Sequence, residues 1–132
     1  FIVCNALGAV HGRDGQVVAG NRDRQTKETF NIADDVDRRI KEGANLKTAS
    51  GRTTLTLIVT NQKLSEKELR SLARQVNASM GRVIQPLAAI DDGDITYAVS
   101  TNEVGNDDIG VTALGIVASE LAWDAALSIF DH

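Results

Sequence analysis

The chain has 132 residues, with 14 Lys plus Arg against 18 Asp plus Glu and a formal charge of −4. That length suits one domain and excludes a large multidomain enzyme. An acidic chain without basic runs is a poor nucleic-acid binder, and a single cysteine, Cys4, excludes an intrachain disulfide and a cysteine-based zinc site. No apolar run approaches the roughly 20 residues needed to span a bilayer, and there is no signal-peptide pattern. With the free Cys4, this sets the expectation of a cytoplasmic protein with no membrane partner. The chain opens at Phe1 on an apolar, strand-like run without an initiator Met, so it reads as a fragment or a product of processing.

Residues 1–10 are apolar with little alternation, the pattern of a strand covered on both faces. Gly12-Arg13-Asp14-Gly15 leads from there into Gln16-Val17-Val18-Ala19-Gly20. Asp-Gly between two apolar runs signals a β-hairpin, and the segment is too short for a phosphate loop. Residues 21–52 are highly charged. Within them Ile32, Val36 and Ile40 stand at i, i+4 and i+8 and permit one short amphipathic helix. The stretch 43–52 reads as an exposed, mobile connector.

Thr53-Thr54-Leu55-Thr56-Leu57-Ile58-Val59-Thr60 is β-branched and apolar, which makes it a strand. Ser65-Glu66-Lys67-Glu68 is a capping box that opens a helix carried by Leu69, Leu72, Ala73, Val76 and Met80. Gly81 and Pro86 bracket its end. A second strand over 95–100 follows the turn Asp91-Asp92-Gly93-Asp94, and Leu114, Val117, Ala118, Leu121, Ala125 and Ile129 mark a second helix over about 111–130. The order is hairpin, charged linker, then strand–helix–strand–helix. This is an α/β chain whose strand directions the pattern leaves open.

The conventional catalytic sites are poorly served. The two histidines, His11 and His132, have no metal-ligand spacing, and a Ser-His-Asp triad would need His11 beside the hairpin turn. Cys4 in an apolar strand behaves as a small buried hydrophobe. The twelve-residue ligand pattern of an EF-hand is absent around the acidic turn.

The junction Ser50-Gly51-Arg52-Thr53-Thr54 has two readings. Thr is common at strand starts. Alternatively, the Thr53 hydroxyl attacks the Arg52 carbonyl, an N-to-O acyl shift gives an ester, and water releases a new N-terminus. The freed α-amine, with an unperturbed pKa of about 7.7–8.0, would then serve as the base for its own hydroxyl. The turn Asp91-Asp92-Gly93-Asp94 is either a solvated acidic turn or a device that orients a hydroxyl and an ammonium. Asn5, polar within an apolar strand, needs a partner. It offers either a structural hydrogen bond or an oxyanion donor.

Gly51-Arg52-Thr53-Thr54-Leu55-Thr56-Leu57-Ile58-Val59-Thr60-Asn61 resembles the processing junction of a self-cleaving amidohydrolase family. That family includes the nylon-oligomer hydrolases, the DmpA-type aminopeptidases and the β-peptidyl aminopeptidases. The resemblance continues through Ala73-Arg74-Gln75-Val76-Asn77-Ala78-Ser79-Met80, Ile84-Gln85-Pro86 and Asp92-Gly93-Asp94. It extends to Thr112-Ala113-Leu114-Gly115-Ile116-Val117-Ala118-Ser119-Glu120 and Trp123-Asp124-Ala125, and Val3-Cys4-Asn5-Ala6-Leu7-Gly8 also takes part. It is nearest to the nylon-oligomer hydrolase branch.

The resemblance implies a four-layer α/β/β/α sandwich, of which this chain supplies only part. It implies a precursor cut into two subunits, with 1–52 the C-terminal part of an α-subunit and 53–132 the β-subunit. Thr53 would be the nucleophile, Arg52–Thr53 the autocleavage bond and Asn5 the family's active-site asparagine. Asp92 and Asp94 would occupy the acidic or hydroxyl positions that support the nucleophile. The reaction implied is amide hydrolysis through an acyl-enzyme, on short oligoamides or peptides, with no cofactor or metal. Its partners would be the upstream part of the α-subunit, which carries the family's catalytic lysine, and further αβ units in a homo-oligomer. Arg52 stands where the nylon-oligomer hydrolases carry Asn. The alternatives are a non-processing structural or binding relative in which Arg52–Thr53 stays intact, and an aminopeptidase or pantetheine-type amide hydrolase. Isolated, the chain would expose the core face of its sheet.

Overall fold

The computed structural model describes residues 1–46, 51–105 and 108–130. Part of the expected connector (47–50, including Ser50) and His132 lie outside the described residues. The first apolar run does not form one strand. It divides into β1 (Ile2–Asn5) and β2 (Ala9–His11), which belong to different sheets. The division falls at Gly8, where a Cβ would lie 1.7 Å from the Gln85 carbonyl oxygen. Only a residue without a side chain lets the backbone pass that close. The expected hairpin is present beyond it, with β2 antiparallel to β3 (Val17–Ala19) and Gly12 N–H donating to the Gln16 carbonyl at 2.8 Å.

Helix α1 (Ile32–Lys41) forms where the apolar spacing predicts it, capped by the Asn31 side chain on Ala33 N–H. Strand β4 (Thr53–Gln62) then leads through α2 (Glu66–Met80) and the two-residue β5 (Ile84–Gln85) to β6 (Ile95–Val104). The capping box of α2 is complete, since Ser65 Oγ accepts from Glu68 N–H and Glu68 returns an oxygen to Ser65 N–H. Helix α3 (Val111–Leu127) is followed by a single 3-10 turn, Ser128–Phe130.

The larger sheet has the order β1-β4-β6, with β1 antiparallel and β6 parallel to β4. Parallel pairing is what a helical crossover requires, because two parallel strands cannot be joined by a tight turn. The smaller sheet, β3-β2-β5, is antiparallel. The short β5 carries no alternation of its own and was not legible before the fold brought it beside β2.

α2 and α3 pack on one face of the larger sheet. Leu72, Val76 and Met80 of α2 are buried there with Val10, Val83, Ile84, Ala122 and Ala126. Ile2, Cys4, Ile58 and Ala98 pack against that cluster from the sheet. The opposite face is open. Val3, Leu55, Leu57, Val59, Ile95, Tyr97 and Val99 are exposed on it, Val3 by 66%. The expectation of cover on both faces is therefore corrected for this chain: β1 alternates half-buried and exposed residues. The described architecture is mixed α/β, with helices on one side only of its larger sheet.

α3 lies where its periodicity places it, but its buried face is Gly115, Ser119, Ala122 and Ala126. Val117 and Leu121, expected on the apolar stripe, are 56% and 63% exposed. Small residues win because α3 runs close to α2: a Cβ at Gly115 would meet Gln75 Oε1 at 2.2 Å, and Gln75 Nε2 donates to the Thr112 carbonyl at 3.1 Å. One further correction concerns length. Val111–Phe130 makes 20 helical residues of mean hydropathy 1.5, long and apolar enough by length and composition to cross a membrane. The polar Thr112, Ser119, Glu120 and Asp124 interrupt the run without making its average polar. In this fold the helix packs against α2.

Leu72 has no exposed surface and sits where α2 crosses from β4 to β6. Leu72→Ala is expected to cost about 2–5 kcal/mol through lost transfer energy and a residual cavity. Denaturant unfolding should show this as a lower midpoint at unchanged slope.

Candidate functional site

Thr53 is the first residue of β4, and Asn5 is the last of β1. The antiparallel register sets them directly opposite each other. Cross-strand partners share a sheet face, and here it is the open one, since Asn5 is exposed and the next residues on that face are Val3 and Leu55. The Thr53 hydroxyl donates to the Arg52 carbonyl oxygen at 2.6 Å. Gly93 N–H donates to the same oxygen at 3.0 Å. Arg52 and Asp92 form an isolated parallel bridge in the register of the β4–β6 pairing, three residues before its first pair, Leu55 with Ile95.

The acidic turn wraps this junction. The Asp94 carboxylate accepts from Thr54 N–H at 2.6 Å and from Ala88 N–H at 2.9 Å. Gly93 N–H also reaches Asp92 Oδ1 at 2.9 Å, so it is shared between two acceptors. A Cβ on Gly93 would stand 2.6 Å from Thr53 Oγ1. The turn thus approaches Thr53 as closely as backbone can, and any side chain at 93 would displace the hydroxyl.

Burial holds the Asp92 carboxyl above the ordinary aspartate range, and the neighbouring Asp94 charge pushes in the same direction. The backbone N–H groups of Gly93 and Leu7 oppose the rise. Asp92 Oδ2 is buried and has no well-formed hydrogen bond among the described residues. A half-buried carboxylate with one unsatisfied oxygen, one residue before the Gly93 that abuts Thr53, has the character of a proton acceptor.

Thr53, Asn5, Asp92 and Asp94 thus gather at one end of the larger sheet, although they come from separate parts of the chain. Gly93, Leu7 and Ala88 contribute through backbone N–H groups, which side-chain identity does not announce. The glycine inside Asp-Gly-Asp was the one available signal. His11 is buried on β2 with neither ring nitrogen hydrogen-bonded among the described residues, and Cys4 faces the helices. Among the described residues no group of three or more His, Cys, Asp or Glu could hold a metal ion. A surface hollow of about 750 Å³ runs along α2 past Glu66, Lys67, Arg70, Ala73 and Arg74, and none of the candidate residues line it. Thr53 stands instead on the open sheet face.

Losing Asp94 should loosen the start of β4 and the loop before β6 together. Asp94→Ala is expected to cost about 1.5–3 kcal/mol, the usual worth of a hydrogen bond to a charged group. Asp94→Asn, which keeps one carbonyl acceptor, should lose less, and urea unfolding of the two variants would show the ranking.

Residues 7–130 match Peptidase family S58. The chain is 39% identical to the 6-aminohexanoate-oligomer endohydrolase of Agromyces sp. (strain KY5R), with 96% of this chain and 38% of the relative covered. The enzyme of the same name from Paenarthrobacter ureafaciens gives the same identity and coverage. A putative NylC-analogous protein from the Agromyces strain is also 39% identical, over 96% of this chain and 44% of its own length. The chain thus spans less than half the length of these relatives. A match over nearly all of its residues nonetheless shows its membership: the chain belongs to Peptidase family S58.

Proposed function

We propose that this chain is part of an amide-bond hydrolase that makes its own nucleophile by cutting between Arg52 and Thr53. The observation that carries the reading is the Thr53 hydroxyl seated on the Arg52 carbonyl oxygen at 2.6 Å, with Asn5 opposite and the acidic turn alongside. The named activity of the 39%-identical relatives supports the reaction class and, through their names, short oligoamides as the substrate class.

In the first stage Asp92 takes the proton of the Thr53 hydroxyl as the oxygen bonds to the Arg52 carbonyl carbon. The C–N bond of residue 53 breaks, and the same proton passes to the departing nitrogen. An ester now joins Arg52 to Thr53 Oγ1, and the α-amine is free. Water adds to the ester carbonyl, Arg52 leaves with a carboxylate, and Thr53 regains its hydroxyl. In the second stage the neutral α-amine activates that hydroxyl against an amide substrate. The Asn5 amide, one strand away on the same face, stabilises the substrate oxyanion, and Asp94 keeps the start of β4 in place.

Under this reading 1–52 is the tail of an α-subunit and 53–132 a β-subunit. The open apolar face is closed by a second sheet from the upstream part of the protein, completing four layers. That upstream part also walls the substrate site, and αβ units associate further into a homo-oligomer.

Thr53→Ala should abolish both self-cleavage and hydrolysis. Intact-mass spectrometry of the protein would show no fragment beginning at Thr53, where the unsubstituted chain yields one. A persistent uncut mass in the unsubstituted protein would instead support an inert relative.

The pH dependence has a definite sign. A base must be ionised, and the Asp92 carboxyl is held above its ordinary value. Self-cleavage should therefore fall on acidification at a higher pH than an ordinary aspartate would give, and Asp92→Asn should remove that limb while slowing the reaction. Linkage works the other way for stability. A raised carboxyl contributes stability that is fully present below its unfolded pKa and lost as pH rises through its folded pKa. Asp92→Asn should consequently gain stability relative to the parent above that transition, as paired thermal melts across pH would show.

A further inference from the structure

We infer that the backbone N–H of Gly93 is the oxyanion donor of the self-cleavage step, and that Asp92 releases this donor as it takes up the Thr53 proton. The inference rests on the self-cleaving reading above. Gly93 N–H already lies 3.0 Å from the Arg52 carbonyl oxygen, the atom that becomes negative when Thr53 Oγ1 bonds to its carbon. That separation is within the range of working oxyanion donors. Asn5 faces Thr53 across the strand pair, but its amide forms no hydrogen bond among the described residues. The donor on the scissile carbonyl is therefore backbone rather than the asparagine.

The sharing of this N–H gives the step its timing. Before attack, Gly93 N–H is divided between the Arg52 carbonyl oxygen and Asp92 Oδ1, 2.9 Å away. An ionised carboxylate competes well for a donor, while a protonated one is a weaker acceptor. When Asp92 receives the hydroxyl proton, its claim on Gly93 N–H weakens as charge develops on the Arg52 oxygen. The electron pair of the Thr53 O–H bond forms the new C–O bond, and the carbonyl π pair moves onto oxygen and is met by Gly93 N–H. That pair returns as the C–N bond breaks, with the proton on Asp92 passing to the nitrogen. No further reactant enters until water cleaves the ester. The 2.6 Å approach of a notional Cβ to Thr53 Oγ1 explains why the donor is carried by glycine: any larger residue would bring the N–H only by pushing the nucleophile aside.

The test uses the chain together with whatever sequence precedes it in the intact protein. Glycolic acid placed at position 93 by nonsense suppression turns the 92–93 amide into an ester, removing the N–H and keeping the shape. The rate at which a fragment beginning at Thr53 appears by intact mass should fall about 10²–10³-fold, the loss typical of a removed oxyanion donor. Cleavage of that protein at the parent rate would overturn the inference and leave Thr53 as nucleophile. Failure of the parent to cleave, or cleavage by Thr53→Ala, would overturn the self-cleaving reading and the inference with it. A second measurement needs no change at 93. In the uncut Thr53→Ala protein, a through-hydrogen-bond NMR coupling between Gly93 ¹⁵N and Arg52 ¹³C′ is expected, and its absence would overturn the inference even if the glycolate chain did not fold.

Discussion

The Asp94 carboxylate accepts one backbone N–H from Thr54 and another from Ala88, and the geometry of the whole site depends on those two bonds. They tie the start of β4 to the loop that precedes β6, along the line where the parallel pairing of the two strands begins. With that line held, Gly93 is pressed against Thr53, the Arg52 carbonyl is held by a fixed donor, and Asp92 is drawn out of water far enough to change its acidity. Charge-assisted bonds of this kind are about twice as strong as neutral ones.

β4 presents two faces of different character. Its helix-facing side carries Thr54, Thr56, Ile58 and Thr60, and its open side carries Leu55, Leu57 and Val59. A lone two-layer unit would put the aliphatic side inward, because burying apolar surface is the main driving force of folding. Here three threonines and Ile58 face the helices while leucines and a valine face out, so the strand is built for cover on both sides. Thr96 Oγ1 on the neighbouring strand settles its hydroxyl on Asn77 Oδ1 at 2.9 Å, one way in which a polar group beneath the helices is satisfied. The relatives are more than twice as long as the part this chain matches, in keeping with the proposal that further chain closes the open face. Thr53 and Asn5 stand on that face, so the cover would also be a wall of the substrate site.

The surface charges contribute differently. Arg13 bonds Glu120 and Asp124, Arg82 bonds Glu120, and both guanidinium groups lie over the Trp123 ring, 4.9 and 4.6 Å from its centroid. These groups are about half exposed, and exposed ion pairs are individually worth little. Their value is topological, since they join the β2–β3 turn and the end of α2 to α3. Both arginines hold the Glu120 carboxyl below its ordinary range. The i, i+4 pairs along α1 support a helix that buries no residue of its own.

Much of this was written locally in the chain. The capping box at Ser65, the 3.6-residue spacing of Leu72, Val76 and Met80, the β-branched run from Thr53 and the Asp-Gly of the hairpin are short-range signals. Each can be read within a short window of sequence, before its long-range partners are known. The motifs around Thr53 and Asp92-Gly93-Asp94 likewise identified the family from residue identity alone. Tertiary structure decided what depends on distance between remote segments. It split residues 1–10 at Gly8, because a carbonyl 77 positions away comes within touching distance there. It chose a small-residue face for α3, because the approach of α2 leaves no room for leucine. It brought Asn5, Thr53 and Asp92 together and recruited the N–H groups of Gly93 and Ala88. Backbone amides are the same at every position, so their role exists only once the chain has folded around them.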